Sequence, residues 1–144
     1  MDTTGTPPNP DEEKRLESLM EPVNNSPYYR HIRMRLGKLS VEGCVMTLEV
    51  GDEHMNVFGN GHGGAVASLA DSACGLALVP SLKQGEFAVT QNLFVNYFRP
   101  VKKGTLTARG KIVNRGKTSA VLEAEIFNEA GELVARAQTT HAIR

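Results

Sequence analysis

Asn56-Val57-Phe58-Gly59-Asn60-Gly61-His62-Gly63-Gly64 feeds directly into Ala65-Val66-Ala67-Ser68-Leu69-Ala70-Asp71-Ser72-Ala73-Cys74-Gly75-Leu76-Ala77-Leu78-Val79. A polar, glycine-rich loop thus leads into a segment that is apolar on nearly every side and carries one charge, Asp71. Val66, Leu69, Ala70, Ala73, Cys74, Ala77 and Leu78 recur with the spacing of one helical face. The other positions are mostly Ala, Gly and Ser, so the remaining faces are small rather than charged. A helix apolar all round is a buried helix. About 17 residues, punctuated by glycine, is short for a membrane span, and Pro80 stops the pattern. A lone carboxylate in such a helix is costly unless it is paired, neutralised or used. Asp71 is therefore the first candidate for function.

Outward from this segment, strands are expected on both sides. Upstream, residues 1–12 are polar and proline-rich and are expected to be disordered. Glu13 to Met20 predicts a short helix with Leu16, Leu19 and Met20 on one side, ended by Pro22 and the Asn24-Asn25-Ser26-Pro27 cluster. Ile32, Met34 and Leu36 then alternate with charged residues, Gly37 to Gly43 reads as a turn region through which the strand can continue, and Cys44, Met46, Leu48 and Val50 mark a second half-buried strand. Downstream, Phe87 to Phe98 predicts a long strand closed by Arg99-Pro100. Three further alternating runs follow, centred on Leu106 to Ile112, Ala120 to Ile126 and Leu133 to Ile143, with turns at 114–117 and 128–131. Antiparallel strands with one segregated helix make an α+β domain. The sheet has to curl around the helix, leaving an expected three- or four-strand meander after it and faces for a second subunit to cover. The expected division is a flexible extension with a short helix over 1–24 and a single domain over 25–144.

Composition narrows the function classes. In 144 residues, 16 Lys and Arg balance 16 Asp and Glu, and no dense basic run occurs, which argues against nucleic acid or an anionic membrane surface as partner. Residues Met1 to Arg15 lack the apolar stretch of a secretory signal. Cys44 and Cys74 have neither disulfide-framework nor metal spacing and sit in apolar patterns, as buried thiols of a cytoplasmic protein would. The four histidines form no triad or zinc spacing. No cofactor or metal is expected.

Asn56, Gly59, His62, Gly63, Gly64 and Asp71 together form Asn-x-x-Gly-x-x-His-Gly-Gly with an Asp nine residues after the His. This pattern resembles the hotdog-fold acyl-CoA thioesterases of the phenylacetate-pathway, 4-hydroxybenzoyl-CoA thioesterase-like type. The resemblance continues through Thr90, Tyr97-Phe98-Arg99-Pro100, Arg115-Gly116-Lys117-Thr118 and Gly131-Glu132-Leu133-Val134-Ala135, and so covers roughly residues 25–144. It implies the hotdog fold, a curled sheet around one central helix, paired as homodimers and commonly as homotetramers. It also implies an acyl-CoA substrate and a site at the dimer interface. There the Gly63 amide polarises the thioester carbonyl, Asp71 of the other subunit acts as nucleophile or general base, Asn56 positions water or substrate, and Thr90 assists the water. One departure stands out: Asn60-Gly61 precedes His62 where family members usually carry a less permissive, often apolar residue. A looser loop and an altered acyl pocket are expected from it.

Elementary chemistry bears on these roles. The N–H groups at a helix start suit an oxyanion, and glycine at 63 and 64 lets an acyl group approach the backbone; a plain tight turn would use the same two glycines. Gly63 and Asp71 are eight residues apart, roughly 12 Å along one helix, too far to share a carbonyl within hydrogen-bond reach. If both act, they come from different subunits. Asp71 is otherwise a structural carboxylate bonded to a neighbour. His62 reads as a loop anchor or substrate contact, and His31, His54 and His141 as surface or strand residues. Cys74 reads as packing rather than a nucleophile. Candidate contacts to the substrate are Gly64 and Phe58 for the acyl group and Arg99, Arg115, Gly116 and Lys117 for the phosphates of coenzyme A. The alternative class is a non-catalytic acyl-CoA-binding regulatory hotdog module, against which the presence of both Asn56 and Asp71 counts.

Overall fold

In the computed structural model, which describes residues 9–144, the chain forms helices α1 (Pro10–Asn24), α2 (Pro27–His31) and α3 (Gly63–Leu78) and strands β1 (Met34–Ser40), β2 (Gly43–Val50), β3 (Ala88–Tyr97), β4 (Gly104–Arg115), β5 (Ser119–Phe127) and β6 (Leu133–Ile143). The strands make one antiparallel sheet in the order β1-β2-β4-β5-β6-β3. It curls around α3, which packs against every strand. This is the hotdog architecture expected from the sequence.

Burial follows the two periodicities. Along α3 the buried residues are Val66, Leu69, Ala70, Ala73, Cys74, Ala77 and Leu78, the face the spacing predicts. From the sheet, Met46 and Leu48, Leu106 and Ala108, Leu122, Ala124 and Ile126, and Ala135 and Ala137 point inward to meet it. With the following turn to Ser81, α3 is apolar enough by composition to cross a membrane, yet its apolar face lies inside the sheet. One strand approaches the helix so closely that a side chain is excluded: a Cβ on Gly110 would lie 2.3 Å from the Ala73 carbonyl oxygen. Because backbone opposes backbone there, neither side can yield.

The structure corrects one sequence expectation and decides two that were open. The first helix is longer at both ends than Glu13–Met20. Asn9 caps it by accepting the Asp11 N–H at 3.1 Å, and Pro10 stands at its first position, so residues 10–12 are helical rather than disordered; residues 1–8 of the expected arm lie outside the described residues. The helix also runs past Pro22 to Asn24, anchored by buried Leu16 and by paired bonds between the Asn24 amide and the Leu36 backbone (2.7 and 3.1 Å). Those bonds occupy part of the free edge of β1. Next, the strand does continue into the Gly37–Gly43 region, as the sequence allows: β1 runs through Gly37 to Ser40 with a bulge between Leu36 and Lys38, so only 41–42 remain as the turn. Finally, of the three- or four-strand meander expected, the three-strand form is found, β4, β5 and β6, without β3. That strand crosses over to pair with β6 and forms the other edge of the sheet.

That edge is unusual for an isolated chain. Phe87, Val89, Phe94, Tyr97 and Phe98, on or beside β3, are all more than half exposed, a long apolar edge of the kind that soluble proteins cover.

The Gly110 contact gives a direct test of the wrap. Gly110→Ala is expected to destabilise the fold by at least about 2 kcal/mol, read as a lowered melting temperature; an unchanged melting temperature would mean that sheet and helix are not in backbone contact at this point.

Candidate active site

One group of candidate residues gathers at the N-terminus of α3. His62 caps the helix through Nδ1, which accepts the Gly64 N–H at 2.8 Å, and its own N–H donates to the His54 carbonyl at 2.7 Å. His54 is itself buried, its Nδ1 accepting the Gly51 N–H (3.0 Å) while Nε2 meets the Ile32 carbonyl (2.7 Å). His62 is thus the loop anchor considered for it, with one ring nitrogen already used. Both glycines have packing reasons. A Cβ on Gly64 would lie 2.9 Å from His62 Nδ1, and one on Gly63 3.2 Å from the Tyr97 hydroxyl, which donates to the Gly63 carbonyl at 2.7 Å. Burial pushes the Tyr97 phenol up, so it stays a donor at neutral pH.

Asn56 belongs to the same group. Its Oδ1 accepts the N–H groups of Phe58 (2.9 Å) and Asn60 (3.1 Å), which fixes the amide and leaves its Nδ2 donors uncommitted among the described residues. The Gly63 N–H likewise has no acceptor among them. Asn56 and Gly63 line one cleft of about 520 Å³ together with Tyr97, Phe98 and Arg99. Uncommitted donors on two residues that line one cleft, at a helix N-terminus, suit an oxygen that gains negative charge. The loop that carries Asn56 is not loosened by Asn60-Gly61, as the sequence led us to expect. Gly61 donates to the Val101 carbonyl at 2.8 Å and lies so close that a Cβ would meet Val101 Cγ1 at 2.8 Å, while Lys102 Nζ holds Asn60 Oδ1 at 2.6 Å.

Asp71 lies two turns further along α3, outside that cleft. Here the structure brings the expected Thr90 to it: the Thr90 hydroxyl donates to Asp71 Oδ1 at 2.9 Å. Behind Thr90 stands a residue that the sequence had left among surface or strand positions. His141 on β6 is 1% exposed, and its Nε2 lies 3.0 Å from Thr90 Oγ1. A signal was present, since His141 shares its strand face with Ala137 and Ile143, and a polar group in a core-facing position needs a partner. Burial holds the His141 pKa below the ordinary 6.5, partly opposed by the Asp71 charge.

The remaining candidates are dispersed. Arg99 sits at the mouth of the first cleft, donating to the Leu133 carbonyl at 2.8 Å. Arg115 is turned inward, paired with Glu86 at 2.8 Å and donating to the carbonyls of Gly116 and Lys117 in its own turn, so its guanidinium is already largely committed. Lys117 is exposed, and Phe58 is 84% exposed at the loop tip. Burial pushes the thiols of Cys44 and Cys74 up to about 12, which suits packing and not attack. Among the described residues no three potential metal ligands come together.

Comparison with known proteins places this geometry. The profile of the thioesterase superfamily matches residues 58–135. Human acyl-coenzyme A thioesterase 13 is 28% identical over 131 residues, covering 86% of this chain and 93% of the relative. The crystal structure of a thioesterase from Haemophilus influenzae is similar with a TM-score of 0.82 at 28% identity, over 90% of each chain. The E. coli PaaI protein of the phenylacetic acid degradation operon gives 0.80 at 26% identity, over 92% of this chain and 93% of that one.

The buried histidine makes stability depend on pH. The unfolded chain binds the His141 proton near the ordinary value of 6.5, the folded chain only at lower pH, so the unfolded state holds more protons in between and stability falls as pH drops through that window. Melting temperatures taken from pH 7.5 down to 5.5 are expected to fall more steeply for the native protein than for His141→Gln; parallel slopes would contradict a neutral, buried imidazole.

Proposed function

We propose, from the premise that the chain belongs to the thioesterase superfamily, that it hydrolyses acyl-CoA thioesters at a site assembled from two copies of itself. That it is a thioester hydrolase follows from the family and from its named relatives; the acyl-CoA substrate and the roles of individual residues are the proposal.

One observation carries the reading. The Gly63 N–H that suits an oxyanion and the carboxylate that suits water or carbonyl attack lie on the same helix, eight residues and about 12 Å apart, and only Gly63, with Asn56 from the loop before the helix, lines the cleft beside Arg99. Neither set is a thioesterase site alone. A second copy brings them together, and the exposed apolar edge at β3, with Phe94 68% exposed, is the surface that such a copy would cover. The loop tip at Phe58 would then reach a neighbouring acyl group instead of solvent. The resemblance described above extends the assembly to a pair of dimers, and two buried free thiols suit a reducing cytoplasm.

In this reading the thioester carbonyl oxygen enters the cleft and accepts hydrogen bonds from the Gly63 N–H and Asn56 Nδ2, at the positive end of α3. Both bonds strengthen as the oxygen becomes an oxyanion. Asp71 of the partner copy then acts in one of two ways. Its free carboxylate oxygen takes a proton from water as the water adds to the carbonyl carbon, or it adds directly and water cleaves the resulting anhydride. Either way the C–S bond breaks, coenzyme A leaves as the thiol after gaining a proton, and the acyl group leaves as the acid. Thr90 holds Asp71 Oδ1, so the other oxygen faces the reaction. Arg99 at the cleft mouth is the foremost candidate for the phosphates of coenzyme A, with the turn of Arg115, Gly116 and Lys117 as a second contact.

The test is a panel of short, long and aromatic acyl-CoAs with thiol release as the readout. At least one is expected to turn over, with kcat reduced about 100-fold or more in Asp71→Ala. Tight binding of acyl-CoA with no turnover above that variant would instead make the protein a ligand-binding regulatory module.

A further inference from the structure

We infer that His141 is a positioning residue for hydrolysis: from beneath the site it fixes the direction of the Thr90 hydroxyl, and through it the orientation of Asp71. The inference rests on the functional reading above and adds a third member, contributed by the far end of β6, to the pair on α3 and β3.

The geometry defines a chain of two hydrogen bonds, from His141 Nε2 to Thr90 Oγ1 at 3.0 Å and from Thr90 Oγ1 to Asp71 Oδ1 at 2.9 Å. A hydroxyl has one proton to give. An ionised Asp71 can only accept, so the Thr90 proton belongs between Oγ1 and Oδ1. His141 must then supply the other proton, from Nε2–H. The opposite tautomer would aim the Thr90 proton at Nε2, set an oxygen lone pair against the carboxylate, and leave an N–H at Nδ1, which is buried and has no partner. Nδ1 is unpartnered in either tautomer, as an N–H or as a lone pair, so the direction of the Thr90 proton decides between them. Only the Nε2–H form makes both bonds. An imidazolium would carry the same unpartnered donor at Nδ1, so the residue works as a neutral donor.

Packing holds the ring in this role. His141 pairs with Thr90 on one side and Ala120 on the other in the strand register. Below it Gly75 of α3 carries no side chain, and a Cβ there would already touch Cε1 at 3.9 Å. The bulge between Thr90 and Asn92 lies at this point of β3, and bulges re-aim neighbouring side chains. Thr90 is exposed and Asp71 half-buried, whereas His141 is 1% exposed. It reaches the chemistry only through the hydroxyl. Asp71 thus has one oxygen held by a directed donor, while Oδ2 has no partner among the described residues and is left for water or the thioester carbon.

Steady-state kinetics on the full-length protein, with an acyl-CoA that it turns over, test this. His141→Leu is expected to lower kcat about tenfold or more at unchanged KM. His141→Gln, whose amide nitrogen reaches the place of Nε2, recovers most of the loss, and His141→Asn, whose amide reaches only the place of Nδ1, does not. Thr90→Ala is expected to cost as much as His141→Leu, and the double variant no more than either alone. If the leucine variant fails to fold, the contrast between Gln and Asn still decides. Equal activities of Gln and Asn, multiplied losses in the double variant, or an effect on KM alone would overturn the inference. Asp71→Asn separates the two levels: if it retains activity the functional reading itself fails, whereas an inactive Asp71→Asn beside a fully active His141→Leu removes only the role of His141.

Discussion

A helix that is apolar around most of its circumference has to be wrapped, and the wrapping of α3 decides nearly everything else in this molecule. The sheet supplies the inner face and comes close enough at Gly110 to touch the backbone of Ala73. What it leaves uncovered are the helix N-terminus, where Gly63 and Asn56 line a cleft, and the flank at Asp71 under Thr90. The positive end of the helix and its only charge are therefore the two places where chemistry can reach it. Rise per residue keeps them about 12 Å apart. In the proposed reading, a rigid core element thus fixes two half-sites and keeps them from meeting within one chain.

The edge strand completes the logic. An apolar strand with Phe94, Tyr97 and Phe98 exposed is a hazard in a monomer, yet the same strand carries Thr90 against Asp71 and sends the Tyr97 hydroxyl back to the Gly63 carbonyl. In the proposed reading, a copy that docks on β3 is brought next to both half-sites at once. Covering the edge and finishing the site are one event in this account, so the stability of the assembly and its activity are expected to depend on the same residues.

Much of this was legible in the sequence because it rests on periodicity and local chemistry. The face of α3 and the inward residues of β2, β4, β5 and β6 follow from spacing, and the resemblance singles out Asp71 and Thr90, though not their contact. What was hidden depends on pairing between distant segments. Four similar strands after α3 give no local sign that β3 joins β6 instead of β4, and without that register His141 has no visible connection to Thr90. Arg115 looks like a free turn cation until Glu86 is brought to it. Asn60-Gly61 looks permissive until Val101 is seen to pack against it. The length of α1 was missed for a different reason: Pro22 is a breaker by local rules, and the contacts of Leu16 and Asn24 with β1 outweigh it.

The central claim is that each site draws Asn56 and Gly63 from one chain and Asp71 from its partner. Complementation measures this directly. Asn56→Ala and Asp71→Ala, each inactive alone, are unfolded and refolded together in equal amounts, and turnover is compared with the native protein treated identically. Random pairing puts half of the dimers in mixed form, each with one intact site, so about a quarter of native activity should return. No recovery from a mixture shown to contain mixed dimers would place both residues in one chain's site and contradict the account.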